Sequence, residues 1–125
     1  MGKKGFKDLI VWQKAKELAV FVYKITYNGS LGRDWGLRDQ IRRSAVSIPS
    51  NIAEGDERNT DKESVRFFFI AKGSLAELRT QLQIAYEIEY IGKEEYESIE
   101  SDCQDLGRMI GKLIKVRQDA IGAGQ

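Results

Sequence analysis

Gln40-Ile-Arg-Arg-Ser-Ala-Val-Ser-Ile-Pro-Ser-Asn-Ile-Ala-Glu-Gly55 is the stretch on which the fold turns. Together with Leu37, its apolar residues Ile41, Ala45, Ile48 and Ile52 recur at helical spacing, so the segment reads as an amphipathic helix. A second row, Gln40, Ser44, Ser47, Asn51 and Glu54, runs directly beside that apolar stripe. Half-buried polar groups need partners, because an unsatisfied one costs about 1–3 kcal/mol. Ser74, Glu77 and Gln81, further along the chain, fall at the edge of another apolar face and offer complementary groups. A buried polar network between the two helices is the expectation. Pro49 stands in the middle of the first of them, where it removes a hydrogen bond and costs about 3 kcal/mol, so a kink is expected there.

Outward from this segment the same period continues. Four helices are predicted, over about Lys7–Tyr27, Trp35–Glu54, Asp61–Tyr90 and Lys93–Val116. Val11, Ala15, Leu18, Val22 and Ile25 form the apolar face of the first. Phe67, Ala71, Leu75, Leu78, Leu82 and Ala85 form that of the third, and Ile99, Cys103, Leu106, Ile110, Leu113 and Ile114 that of the fourth. Asn28-Gly29 reads as a helix stop and Gly92 as a break between the last two helices. Thr60, with Glu63 three residues on, has the form of a capping box. Short connections favour antiparallel neighbours. The predicted fold is therefore all-α, an antiparallel up-and-down four-helix bundle in a single domain over 1–125, with an ordered core of about 6–118 and a frayed Gly/Ala-rich tail at 119–125.

Some apolar residues lie off these faces. Phe21 falls among the charged residues of the first helix, and Phe69, Gly73, Ala76 and Thr80 run opposite the core face of the third. Either these are scattered surface residues or they form a subunit interface in which small side chains let another helix approach. An oligomer is expected.

Composition narrows the chemistry. The chain of 125 residues contains no histidine and one cysteine, Cys103. That removes Ser-His and Cys-His nucleophile pairs, His-based zinc sites, and the Glu-x-x-His pairs of di-iron bundles. Cys103 sits in an apolar stripe, as an inert core residue does. Glycines at 29, 32 and 36 lack the Lys-Ser/Thr ending of a phosphate-binding loop. No catalytic residues, metal or cofactor are expected. Paired cysteines are absent, and no apolar run approaches the roughly 18 residues that suggest a membrane span, so a cytoplasmic location is expected.

The residues also resemble those of a known family. Phe6-Lys-Asp-Leu-Ile-Val-Trp-Gln-Lys-Ala15, Gly36-Leu37, Gln40, Arg42-Arg43, Ser47-Ile-Pro-Ser-Asn-Ile-Ala-Glu-Gly55, Arg58 and Ala71-Lys-Gly-Ser-Leu-Ala-Glu-Leu78 occur in the order found in the proteins named for 23S ribosomal RNA intervening sequences, also called S23 ribosomal proteins. The resemblance extends from about Phe6 to Val116. It departs before the second helix, where Ser30-Leu-Gly-Arg-Asp34 replaces a frequent Phe-Pro pair, and at Ser44, a position often Ala. It implies a bacterial four-helix bundle assembling into a ring, a homopentamer, and no settled biochemical activity.

Charge bears on possible partners. Lys and Arg number 20 and Asp and Glu 19, yet they are unevenly spread: residues 1–58 carry +4, residues 59–107 carry −6, and residues 108–125 carry +3. Arg38, Arg42, Arg43 and Arg58 are the best candidates for contacts to RNA phosphates. The same arginines could instead make ion pairs with acidic neighbours, and no basic patch interleaved with aromatics suggests a stacking platform. Two functions are thus expected in competition. One is a ring-forming scaffold that binds RNA or an RNA-associated protein. The other is a structural or protein-binding oligomer without nucleic-acid affinity.

Overall fold

The apolar stripe of the opening segment is buried as a unit, with Ile41, Ala45, Ile48 and Ile52 wholly withdrawn from solvent. They belong to one of five α-helices in the computed structural model, which describes residues 5–123. The helices are α1 (Ile10–Ile25), α2 (Gly29–Arg33), α3 (Trp35–Asp56), α4 (Asp61–Glu87) and α5 (Lys93–Ala123), preceded by a 3-10 turn at Phe6–Asp8. No strand occurs among the described residues. The fold is an all-α bundle in which α3 packs against α1 and α4, and α5 against α4 and α1. One apolar core joins the inner faces of the long helices, with Leu31 of α2 added at one end.

Local chemistry explains where each helix begins and ends. The first helix starts at Ile10 instead of Lys7, because Phe6–Asp8 winds as a 3-10 turn and sets the Phe6 ring edge-on to Trp12, centroids 5.2 Å apart. It stops at Ile25, where the hydroxyl of Thr26 donates back to the Val22 carbonyl at 2.7 Å. The segment expected as a loop contains the short helix α2, which buries Leu31. Gly32 is required there: a Cβ would lie 2.7 Å from the Tyr27 carbonyl oxygen. Asp34 caps α3, its carboxylate accepting from the Leu37 N–H at 3.1 Å.

Thr60 caps α4 as expected, accepting from the Glu63 N–H at 3.2 Å. The Glu63 carboxylate takes the Thr60 hydroxyl at 3.3 Å. On the buried face of α4, Phe68 replaces the expected Phe67. Gly55 of α3 makes this possible, since a Cβ there would stand 2.6 Å from the Phe68 ring. The displaced Phe67 ring lies half-buried under the Arg58 guanidinium, 4.4 Å away. Helix α4 ends at Glu87, short of Tyr90, in a Schellman turn: Glu89 N–H bonds to Tyr86 O at 3.0 Å and Tyr90 N–H to Ala85 O at 2.8 Å.

Helix α5 passes Val116 and reaches Ala123, so residues 119–123, expected to fray, are helical. Arg117 anchors this extension to the end of α3 and the start of α4, reaching Asp56 at 3.2 Å and Asp61 at 3.3 Å. The last two residues of the expected tail, Gly124 and Gln125, lie outside the described residues.

Candidate functional site

The seam between α3 and α4 holds part of the expected polar network. The Ser47 and Ser74 hydroxyls meet at 2.8 Å. Asn51 donates its amide to the Ser47 carbonyl at 2.8 Å and to the Ser47 hydroxyl at 3.0 Å. Ser44 is buried in the same helix face. Gln81 joins the seam only in part, its Oε1 buried and without a hydrogen-bond partner among the described residues. Gln40, Glu54 and Glu77, expected in the network, are exposed instead. They sit one step further around their helices, and Glu54 turns to Arg58 at 3.2 Å. The seam joins helices and offers no acid-base pair.

Three of the four candidate arginines are engaged within the chain. Arg38 pairs with Asp39 at 3.0 Å and donates to the Gly32 carbonyl at 3.2 Å. Arg58 holds Glu54 and covers Phe67. Arg42 is a clamp: its Nε donates to the Thr26 hydroxyl at 2.8 Å, an Nη donates to the Thr26 carbonyl at 3.2 Å, and its guanidinium lies 4.5 Å from the Tyr23 ring centroid. It thereby ties the end of α1 to α3. Arg43, one step around α3, is exposed.

Of the expected interface residues, Phe21 stands apart from the others. It is half-buried against the core, in the cleft it shares with Leu106 and Met109 of α5. Phe69, Gly73, Ala76 and Thr80 do lie together on the exposed face of α4. Thr80 keeps its hydroxyl local, donating to the Ala76 carbonyl at 2.9 Å.

A groove between α1 and α3, of about 630 Å³, escaped the sequence reading. Val20, Tyr23 and Tyr27 form one wall and Val46 the other, with buried Pro49 beneath. Lys16 and Lys24 are the charged residues of its lining. The signal was present: Lys16, Val20 and Tyr23 repeat at helical spacing as a second face on α1, and Tyr27 continues the spacing just beyond its end. Tyr23, 46% exposed, belongs to this outer face.

On the opposite side, α4 and α5 are joined by polar and aromatic contacts. Arg79 meets Glu100 at 2.6 Å, and the rings of Tyr86 and Tyr96 stack with centroids 4.5 Å apart. No group of Cys, Asp and Glu among the described residues is placed to hold a metal ion, and none of the helices is long and apolar enough to cross a membrane.

Fold and surfaces together define an all-helical bundle in which Arg42, Arg79, Arg117 and the Ser47–Ser74 pair fasten one helix or helix end to another. The chain belongs to the 23S rRNA-intervening sequence protein family, whose model matches residues 7–112. Among solved structures it is similar to a protein of unknown function from the S23 ribosomal protein family of Bacteroides thetaiotaomicron VPI-5482. The two share 29% identity over 85% of this chain and 99% of the other, with a TM-score of 0.78. None of the curated proteins matches it.

Proposed function

We propose that the chain is a non-enzymatic scaffold: an antiparallel up-and-down four-helix bundle, bent at Pro49, that closes with its copies into a homopentameric ring and presents that ring to a protein partner. The brief connections at 57–60 and 88–92 support the antiparallel course. Pro49 lacks the N–H that would bond to Ala45, which supports the bend. A cytoplasmic setting fits a lone buried thiol.

The observation that carries the reading is the outer face of α4. Phe69 is 47% exposed there, and a Cβ on Gly73 would meet nothing within 4 Å. Glycine inside a helix costs about 1 kcal/mol relative to alanine, and no group among the described residues needs the space it leaves. A helix from another copy would. Sedimentation should therefore give a mass several times the 14.2 kDa of one chain. Phe69→Asp or Ala76→Asp should return it to one chain's mass with helicity unchanged. A monomeric wild-type protein at micromolar concentration rules the reading out.

An RNA partner is the second reading, favoured by exposed Arg43 and by the description of the family. Binding to structured RNA should then weaken steeply with salt, and Arg43→Ala should flatten that dependence by about one phosphate contact. Absence of binding at low salt rules it out. Arg42→Ala does not test this reading, since it also breaks the Thr26 clamp.

A further inference from the structure

We propose that the α1–α3 groove seats the C-terminal half of α4 from a second copy of this chain, in a head-to-tail contact. This rests on the self-association argued above and names the surface that receives α4.

The two surfaces are complementary in shape and charge. The groove is walled by Val20, Tyr23 and Val46, each 41–47% exposed, and the charges in its lining are Lys16 and Lys24, with no carboxylate. Along the second half of α4, Ile84 and the capping residue Ile88 are 46% and 48% exposed, with Glu77 and Glu87 exposed beside them. Arg79 is the single basic residue between Ala76 and Glu89, and Glu100 holds it at 2.6 Å. An apolar ridge edged by carboxylates thus matches an apolar groove edged by ammonium groups. At 1.5 Å per residue, Lys16 and Lys24 are about 12 Å apart along their helix and Glu77 and Glu87 about 15 Å, so both carboxylates can be met in one docking.

Charge also selects the symmetry. A groove-to-groove dimer would oppose Lys16 and Lys24 to their own copies, and a ridge-to-ridge dimer would oppose Glu77 and Glu87 to theirs. Like charges across an interface disfavour both. Pairing unlike surfaces is heterologous, and a heterologous contact closes into a ring when the rotation allows.

The test is the assembled mass of the full chain by sedimentation, with helicity checked by circular dichroism. Val46→Glu and Ile84→Glu, both at exposed positions, should each return the protein to one chain's mass. The double variant Lys16→Glu/Lys24→Glu should weaken assembly at least tenfold at low salt. Adding Glu77→Lys/Glu87→Lys to that chain should restore it. If the wild type assembles but Val46→Glu or Ile84→Glu leaves the mass unchanged, the seat is overturned while self-association stands. Failure of the fourfold charge reversal to restore assembly overturns it equally. A monomeric wild type overturns both.

Discussion

Cys103 shows how a residue's chemistry follows from where its side chain is placed. It lies in the core stripe of α5 with no exposed surface, and burial pushes its thiol from the ordinary 9.0 up to about 12, with the nearby Glu100 carboxylate adding to the effect. The folded chain therefore keeps a proton that the unfolded chain releases. Its contribution to stability is complete below pH 9 and is lost as pH rises towards 12. Tyr90 and Tyr96 act in the same direction above pH 10. The hydrogen bond to Asp34 raises the phenol of Tyr90, and desolvation that of Tyr96. The urea midpoint should fall as pH rises from 9 to 11, and Cys103→Ala should abolish the part of the fall that begins near pH 9. The folded thiol should also resist alkylation until the chain is unfolded. Cys103 as an inert core residue was legible from its spacing with Ile99 and Leu106. The Arg42 clamp was not, because its partners Thr26 and Tyr23 are brought to it by the packing of α1 on α3.

Helix ends divide in the same way. The start of α4 was readable, since Thr60 and Glu63 are local and suffice to cap it. Its end was not. The Schellman turn places Glu89 at φ 66°, a conformation that normally selects glycine, so the usual stop signal is missing. Left-handed backbone costs a residue with a Cβ roughly 1 kcal/mol or more. Glu89→Gly should therefore raise stability by about 1 kcal/mol, seen as a higher urea midpoint at unchanged slope. An unchanged midpoint would mean that the Glu89 side chain offsets the strain. The reach of α5 to Ala123 was hidden for a related reason. Arg117 gains Asp56 and Asp61 only after α3, α4 and α5 come together, and those ion pairs hold the end of α5 against the bundle.

For the whole molecule, the near-zero net charge conceals opposed regions: the first 58 residues are basic and the middle of the chain is acidic. These charges lie on different helices, with an apolar groove between α1 and α3 and exposed Ile84 and Ile88 on and just after α4. The proposed assembly would select the folded state, so the melting temperature should rise with protein concentration. About a hundredfold increase should raise it by several degrees in the wild type and leave the Ile84→Glu variant unmoved; differential scanning calorimetry decides this.

The sequence by itself determined the four long helices, most of their buried faces and the absence of histidine chemistry, because each depends on periodicity or composition along one stretch of chain; the short α2 and the choice of Phe68 over Phe67 were not among them. The Ser47–Asn51 bond was within reach for the same reason, being one helical turn long. The structure decided which polar residues of α3 and α4 face inward, bringing Ser74 to Ser47 and leaving Gln40, Glu54 and Glu77 in water. It also moved Phe21 into the α1–α5 cleft, engaged Arg38, Arg42 and Arg58 within the chain, and opened the α1–α3 groove. All of these depend on the rotation of one helix against another. That angle is set by how side chains interlock across the core, as where Gly55 admits Phe68, and no single helix carries it.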